Sequence, residues 1–246
     1  MPAQPARVAV VSGTSSGIGA ATAVELLKRG YQVIGLSRRG NTALTTDRGY
    51  TDSRADLRDP GSVEAALDRA APITGGGVDV VVANAGVSPG PRPLSELPWS
   101  LAADAYEDNV RTALSLVQCT APLLRRAGGG SYTFVGASLA NGQAPERFAY
   151  AAAKAALTTL MRACSVEFAA DRIIANEVRP GPVATAMTMA GLNEAAGDQV
   201  LAALNAGFGI DWLKPARTVA AWIATIAEFP ANGPTGQVFN YSRKTL

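Results

Sequence analysis

Short, almost uninterrupted apolar runs alternate along the chain with stretches whose apolar residues recur every three or four positions. The runs RVAVV (7–11), QVIGL (32–36), VDVVVA (78–83), SYTFV (131–135) and IIANEV (173–178) are rich in β-branched residues. Continuous hydrophobicity over so few residues predicts strands covered on both faces, as in a parallel sheet. A weaker strand is predicted at 51–55 and a last one in GQVFN (236–240). Between strands, Ala20, Ala23, Val24 and Leu27 mark one helical stripe, and Leu157, Leu160, Met161, Cys164 and Phe168 mark another. The alternation predicts an α/β fold on a doubly wound parallel sheet. The glycine runs at 74–77 and 128–130 are too short to be linkers, so a single domain over residues 1–246 is expected.

Composition narrows the chemistry. The chain has 246 residues, 48% of them hydrophobic, enough for a sizeable core. A formal charge of +2 is too near neutral to suggest nucleic acid or an acidic membrane surface as partner. No long apolar segment precedes the first strand, so neither signal peptide nor membrane anchor is expected, and a cytoplasmic protein is. There is no histidine. That excludes a Ser-His-Asp triad, histidine zinc sites and a histidine general base. Cys119 and Cys164 fall in apolar helical patterns and are expected to pack in the core; no metal site is predicted.

The first strand runs directly into SGTSSGIGAATAVELL. Gly13, Gly17 and Gly19 open a helix, with Ser15, Ser16 and Ile18 between them. A tight turn, close backbone approach to a pyrophosphate and close helix–sheet packing each require a missing side chain, and the free N–H groups of a helix start hold phosphate. The plain alternative is a glycine-rich turn. At the end of the second strand, where NAD enzymes carry an acid for the ribose 2′-hydroxyl, stand Ser37, Arg38 and Arg39. A guanidinium there suits a 2′-phosphate, so NADP(H) is the expected cofactor; two solvated arginines are the alternative. Asp56 and Leu57 follow the weak third strand and are placed to border an adenine, although Asp56 could instead cap the helix after Pro60.

The segment FAYAAAKAAL (148–157) is helical by its alanine content, which stacks Tyr150 and Lys154 on one face. A phenol has a pKa of about 10, and a neighbouring cation favours its phenolate. Lys154 supplies one positive charge and an oxidised nicotinamide would add another, so the tyrosine could exchange a proton near the working pH. In a chain without histidine it is the best available acid–base device.

Taken in order, GTSSGIG (13–19), ANAG (83–86), the asparagine of EDNV (107–110), the serine of GASLA (136–140), YAAAK (150–154) and RPGPVAT (179–185) resemble the short-chain dehydrogenase/reductase family over roughly residues 6 to 240. The resemblance implies a Rossmann fold and a dinucleotide held in part by Asn84, Ala85 and Gly86. It implies that Tyr150 is the proton donor, that Lys154 activates it and binds ribose, that Ser138 holds the substrate oxygen and that Asn109 holds a water linked to Lys154. Pro180, Gly181, Val183 and Thr185 would border the nicotinamide. Many relatives place the serine thirteen residues before the tyrosine; Ser138 lies twelve before Tyr150, a difference assigned to a shortened loop rather than to Ala137. The implied activity is NADPH-dependent reduction of a small-molecule carbonyl, or the reverse reaction on an alcohol. The alternatives are an isomerase or dehydratase on the same fold, or a non-catalytic dinucleotide-binding protein. The helices expected at 100–125 and 148–170 would pair in a homodimer or homotetramer. The stretch 187–212 would wall the substrate, and Arg92 and Arg147 would meet either an acidic group or solvent.

Overall fold

The structure, a computed structural model, describes residues 6–141, 145–188, 206 and 212–242. The strands in chain order are β1 (Val8–Ser12), β2 (Gln32–Ser37), β3 (Tyr50–Arg54), β4 (Val80–Ala83), β5 (Gly130–Val135), β6 (Ile173–Arg179), β7 (Val183–Ala184), β8 (Lys214–Pro215) and β9 (Val238–Asn240). Seven form one sheet in the order β3-β2-β1-β4-β5-β6-β9, and every pairing in it is parallel. β7 and β8 make a small separate pair.

The helices are α1 (Gly17–Lys28), α2 (Pro60–Arg69), α3 (Ala71–Thr74), α4 (Trp99–Tyr106), α5 (Thr112–Arg126), α6 (Phe148–Glu167) and α7 (Ala216–Ala227). Strand residues alternate between two cores. Val8, Val10, Ile34 and Val81 pack with α2, α5 and α6 on one face. Ala9, Val11, Val33 and Val82 pack with α1 and α7 on the other. Both faces are therefore dry, which explains the unbroken apolar runs. Cys164 is buried in the first core and Cys119 is half-buried beside it.

Two helical expectations need correction. In α1 the buried positions are Gly19, Thr22, Ala23 and Leu26, a face turned from the expected Ala20–Val24–Leu27 stripe. The close seat of Gly19 against the turn before the helix fixes that rotation. The single helix expected over 100–125 is instead α4, a π-helical turn at Glu107–Arg111, and α5. Most of the 187–212 stretch lies outside the described residues.

Candidate active site

β1 and β4 are neighbours although two strands separate them in sequence, so the chain winds outward from them in opposite directions. Such a switch point leaves a crevice beyond the carboxyl ends of the strands. The loop after β1 enters it. Gly13 and Gly17 have φ of 75° and 59°, a region that favours glycine. A Cβ on Gly13 would also stand 2.7 Å from Asn84 Nδ2 and 3.1 Å from Ala85 Cα. A Cβ on Gly19 would run into the Gly13 carbonyl.

Ser12, which sequence reasoning missed, ties this loop to the one after β4. Its Oγ accepts from the N–H groups of Asn84 (2.9 Å) and Ala85 (3.0 Å) and donates to the Val82 carbonyl (3.3 Å). Asn84 Nδ2 in turn donates to the Ser12 carbonyl at 2.9 Å. The signal available in sequence was a lone hydroxyl closing an apolar strand just before the first glycine.

A cavity of about 700 Å³ lies over this crevice. Gly13, Ser15, Ser16, Gly17 and Ile18 line one side, and Asn84, Ala85 and Gly86 another. Ser37, Arg38 and Arg39 line its far end, where Ser37 Oγ accepts from the Gly40 N–H at 3.0 Å and both arginines are exposed. The nearby Asp52 is occupied elsewhere, accepting from the Asn41 N–H (3.1 Å) and the Tyr50 hydroxyl (3.4 Å). Asp56 and Leu57 line the cavity as expected. The alternative role for Asp56 falls to Asp59, which caps α2 by accepting from the Gly61 N–H at 3.0 Å. Arg58 and Asp108, both unforeseen, line the same end and pair at 2.5 Å across a separation of 50 residues.

A second cavity, about 670 Å³, shares Ile18, Asn84, Gly86, Thr185 and Met187 with the first, so the two form one cleft. Ser138, Tyr150 and Lys154 line it together with Pro180, Gly181 and Val183. Lys154 is only 3% exposed. Its Nζ donates to the Val135 carbonyl at 2.9 Å and lies 5.8 Å from the centre of the Tyr150 ring.

Asn109 lines neither cavity but sits fully buried behind Gly86, where a Cβ would meet its Oδ1 and would stand 3.4 Å from Lys154 Nζ. Asn109 Nδ2 donates to the carbonyls of Val87 and Ala105, both at 2.8 Å, while Oδ1 has no partner among the described residues. The π-helical turn is what aims this side chain inward, and such turns gather at functional sites. An orphaned buried oxygen asks for a donor.

In the protein without a bound nicotinamide, burial sets the electrostatics. It pushes the Tyr150 phenol up to about 12. Burial also pulls Lys154 down to about 8, against the opposing pull of the Glu177 carboxylate. Desolvation is thus the main cause for both groups. At neutral pH the phenol is firmly protonated, the form a proton donor needs.

The glycine cradle and the two joined cavities fit a dinucleotide. A profile described as short chain dehydrogenase matches residues 7–195. The chain belongs to the short-chain dehydrogenase/reductase family. It is 40% identical over 189 residues to a cis-4-hydroxycyclohexanecarboxylate dehydrogenase of Sinomonas cyclohexanicum, covering 71% of this chain and 72% of that one. It is 29% identical to the NADPH-dependent aldehyde reductase 2, chloroplastic, of Arabidopsis thaliana, with 76% of each chain covered. The crystal structure of a 3-ketoacyl-(acyl-carrier-protein) reductase from Brucella melitensis complexed with NADH superposes with a TM-score of 0.80 at 20% identity, covering 95% of this chain and 96% of that one. This short-chain dehydrogenase/reductase is thus an oxidoreductase of a family that uses nicotinamide dinucleotides, on a Rossmann fold. Among its described residues no helix is long and apolar enough to cross a membrane.

Proposed function

We propose that this enzyme uses NADPH to reduce the carbonyl of a small organic substrate, with Tyr150 as proton donor. The observation that carries the reading is that Ser138, Tyr150 and Lys154 share a cavity continuous with the cradle for the cofactor. The Gly13–Gly19 loop would hold the pyrophosphate, Asp56 and Leu57 the adenine, and Lys154 the nicotinamide ribose. When bound, the reduced nicotinamide supplies a hydride to the carbonyl carbon. Ser138 and Tyr150 hydrogen-bond the carbonyl oxygen as negative charge builds on it. Tyr150 then delivers its proton. Lys154 stabilises the phenolate left behind, and a water on Asn109 Oδ1 returns a proton toward it.

The choice of NADPH rests on the end of β2. Arg38 and Arg39 line the groove there, and the nearest carboxylate of β3, Asp52, is held by Asn41 and Tyr50. The Arabidopsis relative is NADPH-dependent and the Brucella structure holds NADH, so the preference rests on the residues of this chain.

The substrate cavity bears two cations, Arg147 and Lys154, and no carboxylate among its described lining residues. Arg147 donates to the Pro89 carbonyl at 3.3 Å and has no acidic partner among the described residues, while Arg92 is exposed and lines neither cavity. A substrate carrying a carboxylate fits this balance, as does the printed substrate of the Sinomonas relative. Met187 and Thr188 line the same cavity, in keeping with a covering role for the 187–212 stretch of a single cofactor-binding domain. A homodimer or homotetramer would cover Trp99 and Tyr106 of α4, Leu114 of α5, and Phe148 and Val166 of α6, all exposed. The test is NADPH consumption with 4-oxocyclohexanecarboxylate and a panel of neutral ketones and aldehydes. The reading expects turnover on at least one, with the matching alcohol formed. A protein that binds NADPH and consumes none contradicts it.

A further inference from the structure

The sixth strand contains a feature that the carbonyl-reduction scheme does not use. Glu177 is fully buried and Arg179 is 9% exposed, two positions apart and so on the same face of β6. Arg179 Nε donates to Glu177 Oε1 at 2.7 Å. Its two remaining nitrogens reach different parts of the site. Nη1 donates to Asn141 Oδ1 at 2.6 Å, and Nη2 donates to Thr158 Oγ1 at 3.0 Å. Asn141 ends the short helical turn Ser138–Asn141, and Thr158 lies on α6 one turn beyond Lys154, whose carbonyl its hydroxyl caps at 3.2 Å. One guanidinium therefore spans the turn that carries Ser138 and the helix that carries Tyr150 and Lys154.

Glu177 holds the other end. Its Oε2 has no partner among the described residues, and its carboxylate fills the space over Gly136 so closely that any side chain there would collide with it. Gly136 leaves β5 beside Val135, the residue whose carbonyl receives Lys154 Nζ. Around Lys154 lie Tyr150 from its own helix, the Val135 carbonyl from β5 and Asn109 from the π-helical turn, and the Glu177 carboxylate of β6, paired to Arg179, acts on its charge through space. A buried, half-satisfied ion pair is costly and adds little to stability by itself. Apolar residues at 177 and 179 would fill a strand buried at all seven positions with no such cost.

Resting on the reductase reading above, we propose that Glu177 and Arg179 are positioning residues of the active site. Arg179 locks the Ser138 turn to the Tyr150–Lys154 helix, and Glu177 anchors Arg179 while supplying the counter-charge for Lys154. The pair sets where the hydrogen-bond donors to the carbonyl oxygen stand and how readily Lys154 keeps its proton.

The chain has four lysines, so nuclear magnetic resonance of protein labelled at lysine can follow Lys154 alone, with Lys154→Met identifying its signal. This readout needs no substrate. In Glu177→Gln the Lys154 titration should move down by about one pH unit or more, and Glu177→Asp should restore most of it. If Glu177→Gln does not fold, Glu177→Gln combined with Arg179→Met leaves no unpaired charge and is read in the same way. Arg179→Lys keeps the charge but loses the fork; its kcat with NADPH and 4-oxocyclohexanecarboxylate should fall about tenfold with KM for NADPH unchanged. An unmoved Lys154 titration in folded protein lacking the Glu177 charge overturns the counter-charge role. A parental kcat in Arg179→Lys overturns the positioning role. Variants that alter only the denaturation midpoint overturn both. A parent that turns over no carbonyl removes the reductase reading, and the lysine titration then decides the counter-charge role by itself.

Discussion

The two ends of the cleft are built by different means. The cofactor end is made of backbone: Gly13 and Gly17 turn the chain, Gly19 lets the helix close on the turn, and Ser12 pins the loop after β4 to the loop after β1. The substrate end is made of side chains brought from the exit of β5, the 138–141 turn, α6 and the loop after β6. A ledge of backbone N–H groups is polar yet needs no buried charge. The side-chain end places Lys154, Glu177 and Arg179 almost entirely out of water, Lys154 held by the Val135 carbonyl and Arg179 by Glu177. The first arrangement recognises a ligand shared by many enzymes. The second lets the chemistry be tuned, because each group there depends on the charge of its neighbours.

Changes at the two ends should therefore fail differently. Lys154→Met should have the largest effect, because it removes the cation beside Tyr150 and, with it, the proposed contact to the ribose. Turnover should drop by about 10³ or more and NADPH affinity should fall with it, in steady-state kinetics and a fluorescence titration. Arg38→Ala should act on the cofactor end alone. Loss of a charged hydrogen bond to the 2′-phosphate should weaken NADPH about tenfold or more while NADH binding stays near parental. Equal loss for both cofactors would place Arg38 outside the 2′-phosphate site. Ser12→Ala leaves the N–H groups of Asn84 and Ala85 without their acceptor. It should cost about 1 kcal/mol of stability in a urea titration and weaken NADPH and NADH alike.

That contrast also explains what could be read before the fold was known. The strands, the glycine loop, the arginines after β2 and the Tyr150–Lys154 spacing are local patterns, and each sits where its pattern places it. Ser12 was passed over because a hydroxyl at a strand end gains meaning only when β4 lies beside β1. Arg58 and Asp108 are 50 residues apart and meet only through packing. Glu177 falls inside the strand expected at 173–178 and Arg179 just after it, and only the fold joins them to the Ser138 turn and to α6. Burial governs the Tyr150 phenol in the protein by itself. Spacing reveals the nearby cation, but the extent of desolvation is a property of the assembled site.

The smallest effect is on stability against pH, and it again separates the two kinds of group. Tyr31 and Tyr150 are raised from 10.0 to about 12, and Tyr50 and Tyr132 are raised too, all chiefly by burial. Each keeps its proton in the folded protein after the unfolded chain has lost it. Their stabilisation is full below pH 10.0 and is lost as pH climbs toward about 12. Lys154 has the opposite sign: it loses its proton at about 8 when folded but at 10.5 when unfolded, so its contribution rises with pH across that window. Urea midpoints measured between about pH 8 and pH 10 should rise less in Lys154→Met than in the parent.

The central claim, that one cleft joins NADPH to a carbonyl protonated by Tyr150, is tested most directly by a single turnover. Parent and Tyr150→Phe are each mixed with stoichiometric NADPH and an excess of whichever carbonyl compound the parent reduces best. Loss of the reduced nicotinamide absorbance is followed, and NADPH affinity is measured in parallel. The account predicts one equivalent of NADPH consumed and one of alcohol formed by the parent. It predicts parental NADPH affinity in Tyr150→Phe, with a rate lower by about 10²–10⁴, since only the hydroxyl that donates the proton is gone. A phenylalanine variant that oxidises NADPH at the parental rate would contradict it.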